Sequence, residues 1–168
     1  DLVRDRFDLY YAGLFLLDDT GRYAVLEAGS GEAGRTMKQQ RHSLEVGGLS
    51  MVGAACARGE ARIALDVGEE PVRFDNPLLP KTRSEMALPL MVGERVLGAL
   101  DVQSMQANAF SEGDVALLQL VADQVAVSVD NARRLSEGSE LVEATSPLFR
   151  ISRRLSAATS TAQVAEAI

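Results

Sequence analysis

The sequence predicts an α+β domain in which two β-hairpins precede one long helix. Residues 8–28 and 85–103 each hold two apolar runs of strand length, split by Asp18-Asp19-Thr20-Gly21 in the first and by Gly93 in the second. From Ser111 onward apolar residues recur at helical spacing instead. The order along the chain is hairpin, loop, short helix, long loop, hairpin, long helix, and strands grouped before a helix belong to the α+β class.

Each element has its own signal. Between Asp8 and Leu17, Leu9, Tyr11, Phe15 and Leu17 fall on one face and Tyr10, Leu14 and Leu16 on the other. A strand apolar on both faces belongs inside a sheet covered on both sides. Tyr23 to Ala28 returns as its partner. Residues 29–40 are glycine-rich and polar and read as a loop, with a short strand near Ser43 to Val46. Met51, Val52, Ala54, Ala55 and Cys56 make a short helix over Ser50 to Arg58, and Gly59 is placed to end it. Arg62 to Leu65 is a brief strand. Residues 66–82 carry Pro71, Pro77 and Pro80 and form the longest irregular stretch. Loops of this length are usually functional or disordered, and Val67, Val72, Phe74, Leu78 and Leu79 argue that this one packs on something. In the second hairpin, Glu85 to Val92 and Arg95 to Gln103, the residues Met86, Leu88, Leu90 and Val92 share a face, and Val96, Leu97, Leu100 and Val102 continue apolar. Pro89 requires a bulge or a position whose missing N–H faces away from the ladder.

Ser111-x-x-Asp114 opens the long helix with a capping box, and Glu112 and Asp114 suit its positive end. Leu118, Val121, Ala122, Val125 and Val129 form one apolar stripe. Leu117, Leu120 and Val127, with Gln124 and Asn131, form a second. One sheet needs one stripe, so the second asks for another partner. Helical composition continues past Asn131, interrupted at Gly138 and Pro147; Ser146-Pro147 reads as a new helix start. Leu120, Val127, Leu141, Leu148 and Leu155 stand seven residues apart in one column, with Arg134 filling the gap. An ordinary surface helix fits this spacing, and so does a coiled-coil-like seam. The seam is preferred, which makes a homodimer through Leu117, Leu120, Val127 and Leu141 the expectation. Ser160-x-x-Gln163 is a further capping box before Val164 to Ile168.

Composition narrows the function classes. A formal charge of −7 disfavours nucleic acid and anionic membrane as partners. Arg133, Arg134, Arg150, Arg153 and Arg154 are interspersed with Glu137, Glu140 and Glu143, as on solvated helix faces. No apolar run reaches the roughly 18 residues of a membrane span. One cysteine and one histidine, Cys56 and His42, argue against an internal disulfide and a zinc cluster, and fit a reducing cytoplasm.

Three stretches resemble the GAF domain family. They are Phe7-Asp8-Leu9-Tyr10-Tyr11-Ala12-Gly13-Leu14-Phe15-Leu16-Leu17-Asp18, Ser84-Glu85-Met86-Ala87-Leu88-Pro89-Leu90, and Gly98-Ala99-Leu100-Asp101-Val102-Gln103-Ser104 leading into Phe110-Ser111-Glu112-Gly113-Asp114, with Asn131-Ala132-Arg133 at the helix end. The resemblance spans about residues 5 to 134. It implies a central antiparallel sheet of about six strands with the first and last as central neighbours, helices on one face, a loop and short helix on the other, and a long C-terminal linker helix. It also implies a ligand pocket under the second cover, placed on this chain among Met51, Ala55, Asp66, Phe74, Leu78, Ser84, Met86 and Leu88, with residues 66–82 as its lid. Those residues could equally fill an ordinary core. Leu148 to Ala158 resembles the helix that precedes a following GAF repeat, while only residues 1–6 stand before the first strand. The expected organisation is therefore a GAF domain at 1–134 lacking most of its first helix, then a helical linker and the start of another repeat at 135–168. The orphaned helix is expected to dock where the missing one belongs.

Within that family the specific chemistries find little support here. Covalent bilin attachment needs a thiol in the pocket, but Cys56 sits among apolar helix residues and reads as buried and inert. Methionine sulfoxide reductases of this type use several cysteines, and one thiol cannot form a resolving disulfide. The Phe-x-x-x-Asp-Glu signature of cyclic-nucleotide binders is missing, because Phe74 is followed by Leu78 and Leu79. Haem ligation through His42, a polar-loop histidine expected to be solvated, has no support. Gly29-x-Gly31-x-x-Gly34 matches a dinucleotide fingerprint only superficially, since no helix clearly opens from it. Asp66, Glu85 and Asp101 lie nearest the pocket and are expected to satisfy backbone groups or turns. The expectation is a non-catalytic cytoplasmic sensor in a signal-transduction protein such as a two-component system. It binds an unidentified small molecule, has no zinc, haem or bilin, and relays through its C-terminal helix. A ligand-free dimerisation spacer is the alternative.

Overall fold

In the computed structural model, residues 9–68 and 75–145 are described, with side chains to Leu135. The chain divides into two compact units between Ser128 and Val129. In the first, six strands form one antiparallel sheet: β1 (Tyr11–Leu17), β2 (Tyr23–Gly29), β3 (Ser43–Glu45), β4 (Arg62–Ala64), β5 (Ser84–Val92) and β6 (Arg95–Ser104), in the order β3-β2-β1-β6-β5-β4. The first and last strands are the central neighbours, paired from Tyr11↔Gln103 to Leu16↔Gly98. The two outer strands have three residues each.

Local chemistry explains most boundaries. Asp18 closes the first hairpin: its carboxylate accepts from Thr20 Oγ1 and from the N–H of Arg22 at 3.1 Å. Helix α2 (Met51–Arg58) starts at Ser50, whose hydroxyl accepts from Gly53 N–H at 2.9 Å, and stops at Gly59 in the left-handed conformation. Helix α3 (Glu112–Thr145) opens with the reciprocal box, Asp114 N–H to Ser111 Oγ at 3.2 Å and Ser111 N–H to Asp114 Oδ2 at 2.9 Å. Pro89 lies beyond Ala87, the last β5 residue paired with β4, so no β4–β5 hydrogen bond is lost; a bulge follows between Leu90 and Met91.

Two readings are corrected. Residues 29–40 are not a loop but contain helix α1 (Gly31–Gln39). Its glycines serve close packing: a Cβ at Gly34 would sit 2.2 Å from the carbonyl carbon of Gly29 on β2, so helix and strand touch backbone to backbone. Nor does Gly138 interrupt α3, which runs on to Thr145. The expected features at Ser146-Pro147, Leu148, Leu155 and Ser160-x-x-Gln163 lie outside the described residues, as does the docking of residues 147–168.

Both sheet faces are covered. Helices α1 and α2 lie on the face of Tyr11, Phe15, Ala87 and Ala99, where Met37, Val52, Ala55 and Cys56 complete a core. Met86, Leu88, Leu90 and Val102 point the other way and are fully buried, as is the α3 stripe of Leu118, Ala122 and Ala126. The second stripe stays in solvent: Leu117, Leu120 and Val127 are 50%, 62% and 49% exposed. In the second unit, Arg134 Nε donates to buried Asp130 one helical turn earlier at 2.7 Å. Among the described residues no helix is long and apolar enough to cross a membrane.

Candidate ligand-binding site

Alternation along the strands decides which side chains meet. Antiparallel partners directly opposite each other share a face. Tyr11 opposes Gln103, Gly13 opposes Asp101, and Phe15 opposes Ala99. On the other side of β6, Glu85 opposes Gln103 and Ala87 opposes Asp101; beyond them Ala64 opposes Glu85 and Arg62 opposes Ala87. Of these, Tyr11, Phe15, Arg62, Ala64, Glu85, Asp101 and Gln103 floor a cavity of about 380 Å³. Met37 of α1 and Met51, Val52 and Ala54 of α2 wall it, and Asn76, Pro77, Leu79, Pro80 and Thr82 roof it. Asn76 Nδ2 contacts Met37 Sδ at 3.1 Å, tying roof to wall.

The polar end of the cavity is a connected set. Thr82 Oγ1 donates to Gln103 Oε1 at 2.6 Å, which turns the amide so that Nε2 donates to Asp101 Oδ2 at 2.8 Å. Glu85 also hydrogen-bonds Asp101. Two carboxyl groups in hydrogen-bond contact share a proton, because like charges at that range cannot both ionise freely. Asp101 is only 3% exposed, and burial pushes its carboxyl up to about 7, against the lowering pull of Gln103 and Glu85. Its Oδ1 has no hydrogen-bond partner among the described residues, and neither has the Tyr11 hydroxyl. The Tyr11 ring lies over Gly13, where a Cβ would meet its hydroxyl oxygen. Burial raises the phenol far above its ordinary range, and the charge of Asp101 adds to this. A buried polar atom left without a partner costs roughly 1–3 kcal/mol.

The residues expected at the site divide. Met51 lines the cavity. Ala55 is buried in the core beside it. Ser84, Met86 and Leu88 occupy the opposite face of β5: in a strand one residue's difference reverses the face. Ser84 Oγ instead donates to Gln106 O at 2.7 Å. Asp66 is held by Arg83 at 2.5 Å and by the N–H of Gly68 at 3.1 Å. Leu78 is exposed while its neighbour Leu79 lines the cavity. Phe74 lies outside the described residues. Asp101 and Glu85 line the cavity, with Asp101 held by the Gln103 amide. Tyr11, Gln103, Thr82 and Arg62 join them unforeseen; the signal available was the alternation of β1 and β6, which puts Tyr11, Asp101 and Gln103 on one face. His42 also differs from expectation. It is half-buried in the cavity wall, edge-on to Phe15 with ring centroids 6.2 Å apart, and burial lowers its pKa. Cys56 is buried in the core and raised to about 11 by burial, an unreactive thiol. Among the described residues no group of three metal-ligating side chains occurs.

A family model described as GAF domain matches residues 1–130. No curated protein matches the sequence. Solved structures share the fold. The GAF domain of a phosphoenolpyruvate-protein phosphotransferase from Coxiella burnetii is 21% identical with a TM-score of 0.72, over 80% of each chain. The type II free methionine-R-sulfoxide reductase of Thermoplasma acidophilum is 24% identical with a TM-score of 0.64, over 74% of this chain and 82% of that one. The second GAF domain of DevS from Mycobacterium smegmatis is 17% identical with a TM-score of 0.63, over 81% and 91%. The reductase overturns the expectation that catalysis is excluded: enzymes are built on this same fold, so the lack of a familiar motif does not separate a sensor from a catalyst.

Proposed function

The chain belongs to the GAF domain family, and from that premise we propose that it is a sensory module that binds a small molecule in the cavity on the α1–α2 side of the sheet. One observation carries the reading: two buried polar atoms without partners, Asp101 Oδ1 and the Tyr11 hydroxyl, belong to residues lining a cavity of about 380 Å³. Asp101 and Gln103 face the ligand, whereas Leu100 and Val102 on the same strand are buried on the other face of the sheet, the side we assign to α3. A ligand that prefers one arrangement of β6 and the 75–82 roof therefore biases the helix on the other side. In a signalling protein, two-component or otherwise, α3 conveys that bias onward. The charge of −7 argues against nucleic acid or anionic lipid as the ligand, and the free buried Cys56 suits a cytoplasmic setting. A thermal-shift screen of a chemically broad metabolite library is expected to find a stabiliser, because binding to the native state alone raises apparent stability. A screen in which nothing moves the transition would refute the reading.

A second observation supports self-association. Leu117, Leu120 and Val127 form an exposed apolar column on the side of α3 away from its buried stripe, the pattern of a two-helix seam between copies; Leu141, with its side chain outside the described set, continues the spacing. Leu120→Asp is expected to convert a dimer to monomer in sedimentation velocity with the fold intact. A dimer that survives the substitution places the interface elsewhere.

A further inference from the structure

Resting on the reading that the cavity takes a small molecule, we infer that the molecule is a primary ammonium compound whose nitrogen lodges between Asp101 and Glu85 and takes the place of the proton the two carboxyls share. Three features carry this. Asp101 lines the cavity, and its buried Oδ1 is an acceptor with no donor among the described residues, so it wants an N–H or O–H from outside the chain. Its orientation is set: Thr82 fixes Gln103, and Gln103 fixes Oδ2, which leaves Oδ1 free for a ligand. And the ionisable groups around the cavity favour a cation. Tyr11 from β1, His42 before β3, Arg62 from β4, Asp75 from the roof, Glu85 from β5 and Asp101 from β6 all line it. Burial keeps the phenol and the imidazole neutral near pH 7. Among the described residues three carboxyl groups, two of them sharing one proton, then stand against one guanidinium. Arg62 opposes Ala87, one step along the strand from Glu85, so the edge of the site could also seat an acidic group of a zwitterion.

A divalent metal is a poorer occupant. Calcium takes 6–8 oxygen ligands and magnesium an octahedral shell, whereas here one oxygen of Asp101 is already taken by the Gln103 amide. An ammonium group needs only acceptors within reach of its three N–H donors. Phe15, Met37, Leu44 and Val52 supply an apolar wall for the rest of the molecule. Binding is an exchange: the ammonium arrives with its own protons, its N–H groups replace the O–H···O bridge, and the displaced proton leaves to solvent. Affinity therefore rises with pH while the pair still holds that proton, and levels off once it is lost.

The test uses hexylamine and phenethylamine against hexanol and hexanoate, with calcium chloride as a separate arm, by thermal shift and isothermal titration calorimetry near pH 6 and pH 8. The amines are expected to bind and the alcohol and carboxylate to fail. Binding near pH 8 is expected to be roughly tenfold tighter than near pH 6, with about one proton released per amine at the lower pH when two buffers are compared. Asp101→Asn, which keeps the shape and the hydrogen bond from Gln103, is expected to stay folded by circular dichroism and to lose at least about tenfold in amine affinity. Preferential binding of hexanol, hexanoate or calcium, or an unchanged amine affinity in the variant, overturns the inference while leaving a ligand-binding cavity in place. Failure of all the probes together with a wide neutral, anionic and cationic library removes the cavity's role as well.

Discussion

Gly98→Val is expected to cost about 3 kcal/mol or more of folding stability, enough to unfold a domain of this size under ordinary conditions. A Cβ at Gly98 would stand 2.0 Å from the Phe15 carbonyl oxygen and 2.8 Å from Leu16 Cα. Both are main-chain atoms of β1 at the Leu16↔Gly98 pair, so relief requires opening the central ladder rather than turning a side chain. Urea unfolding of Gly98→Ala and Gly98→Val should rank the two by size, with unfolding midpoints falling in that order. A midpoint for the alanine variant within error of the parent would mean that the β1–β6 pairing is looser than described.

Asp101→Asn is expected to act in the opposite sense, and only across a defined pH window. In the unfolded chain this carboxyl titrates near the ordinary aspartate value of about 3.9, and in the folded protein burial raises it to about 7. Between these values the folded state holds the proton more tightly. The parent is therefore most stable at the acid end of the window, loses stability as pH rises towards 7, and changes little above it. The asparagine variant has no such proton and stays flat. Three units correspond to about 4 kcal/mol at most, so the variant should be the more stable protein near pH 8, by an amount on the order of a few kcal/mol. Urea melts near pH 5 and pH 8 decide it: a variant that is less stable than the parent at the higher pH would show that the Asp101 charge is compensated in the free protein.

These effects bear on how much of the molecule was legible beforehand. The hairpins, the short capped helix and the long helix were readable because each rests on local rules, such as alternation, Ser50 and Ser111 at helix starts, and Gly59 at a helix end. Helix α1 was not, because Gly29, Gly31 and Gly34 signal a loop to local propensity. Gly29 and Gly34 permit a close backbone approach that exists only in three dimensions, and Gly31 takes a positive φ at the helix start. The expected pocket and the cavity lie on the same side of the sheet, while the β5 residues named for it fall on the opposite face. The resemblance places Met86 and Leu88 in the pocket, yet both are fully buried on the other face of β5, and Glu85 beside them is the residue that lines the cavity. Pairing Asp101 with Glu85 required the register of β5 against β6, which hairpin spacing alone does not fix once a bulge intervenes at Leu90/Met91.

The sheet ends on both sides in strands of three residues, Ser43–Glu45 and Arg62–Ala64. Borders this short offer an incoming chain only a few open main-chain donors and acceptors, too few to template endless strand-by-strand growth. Copies of this domain crowded together therefore present little edge for strand-by-strand zippering.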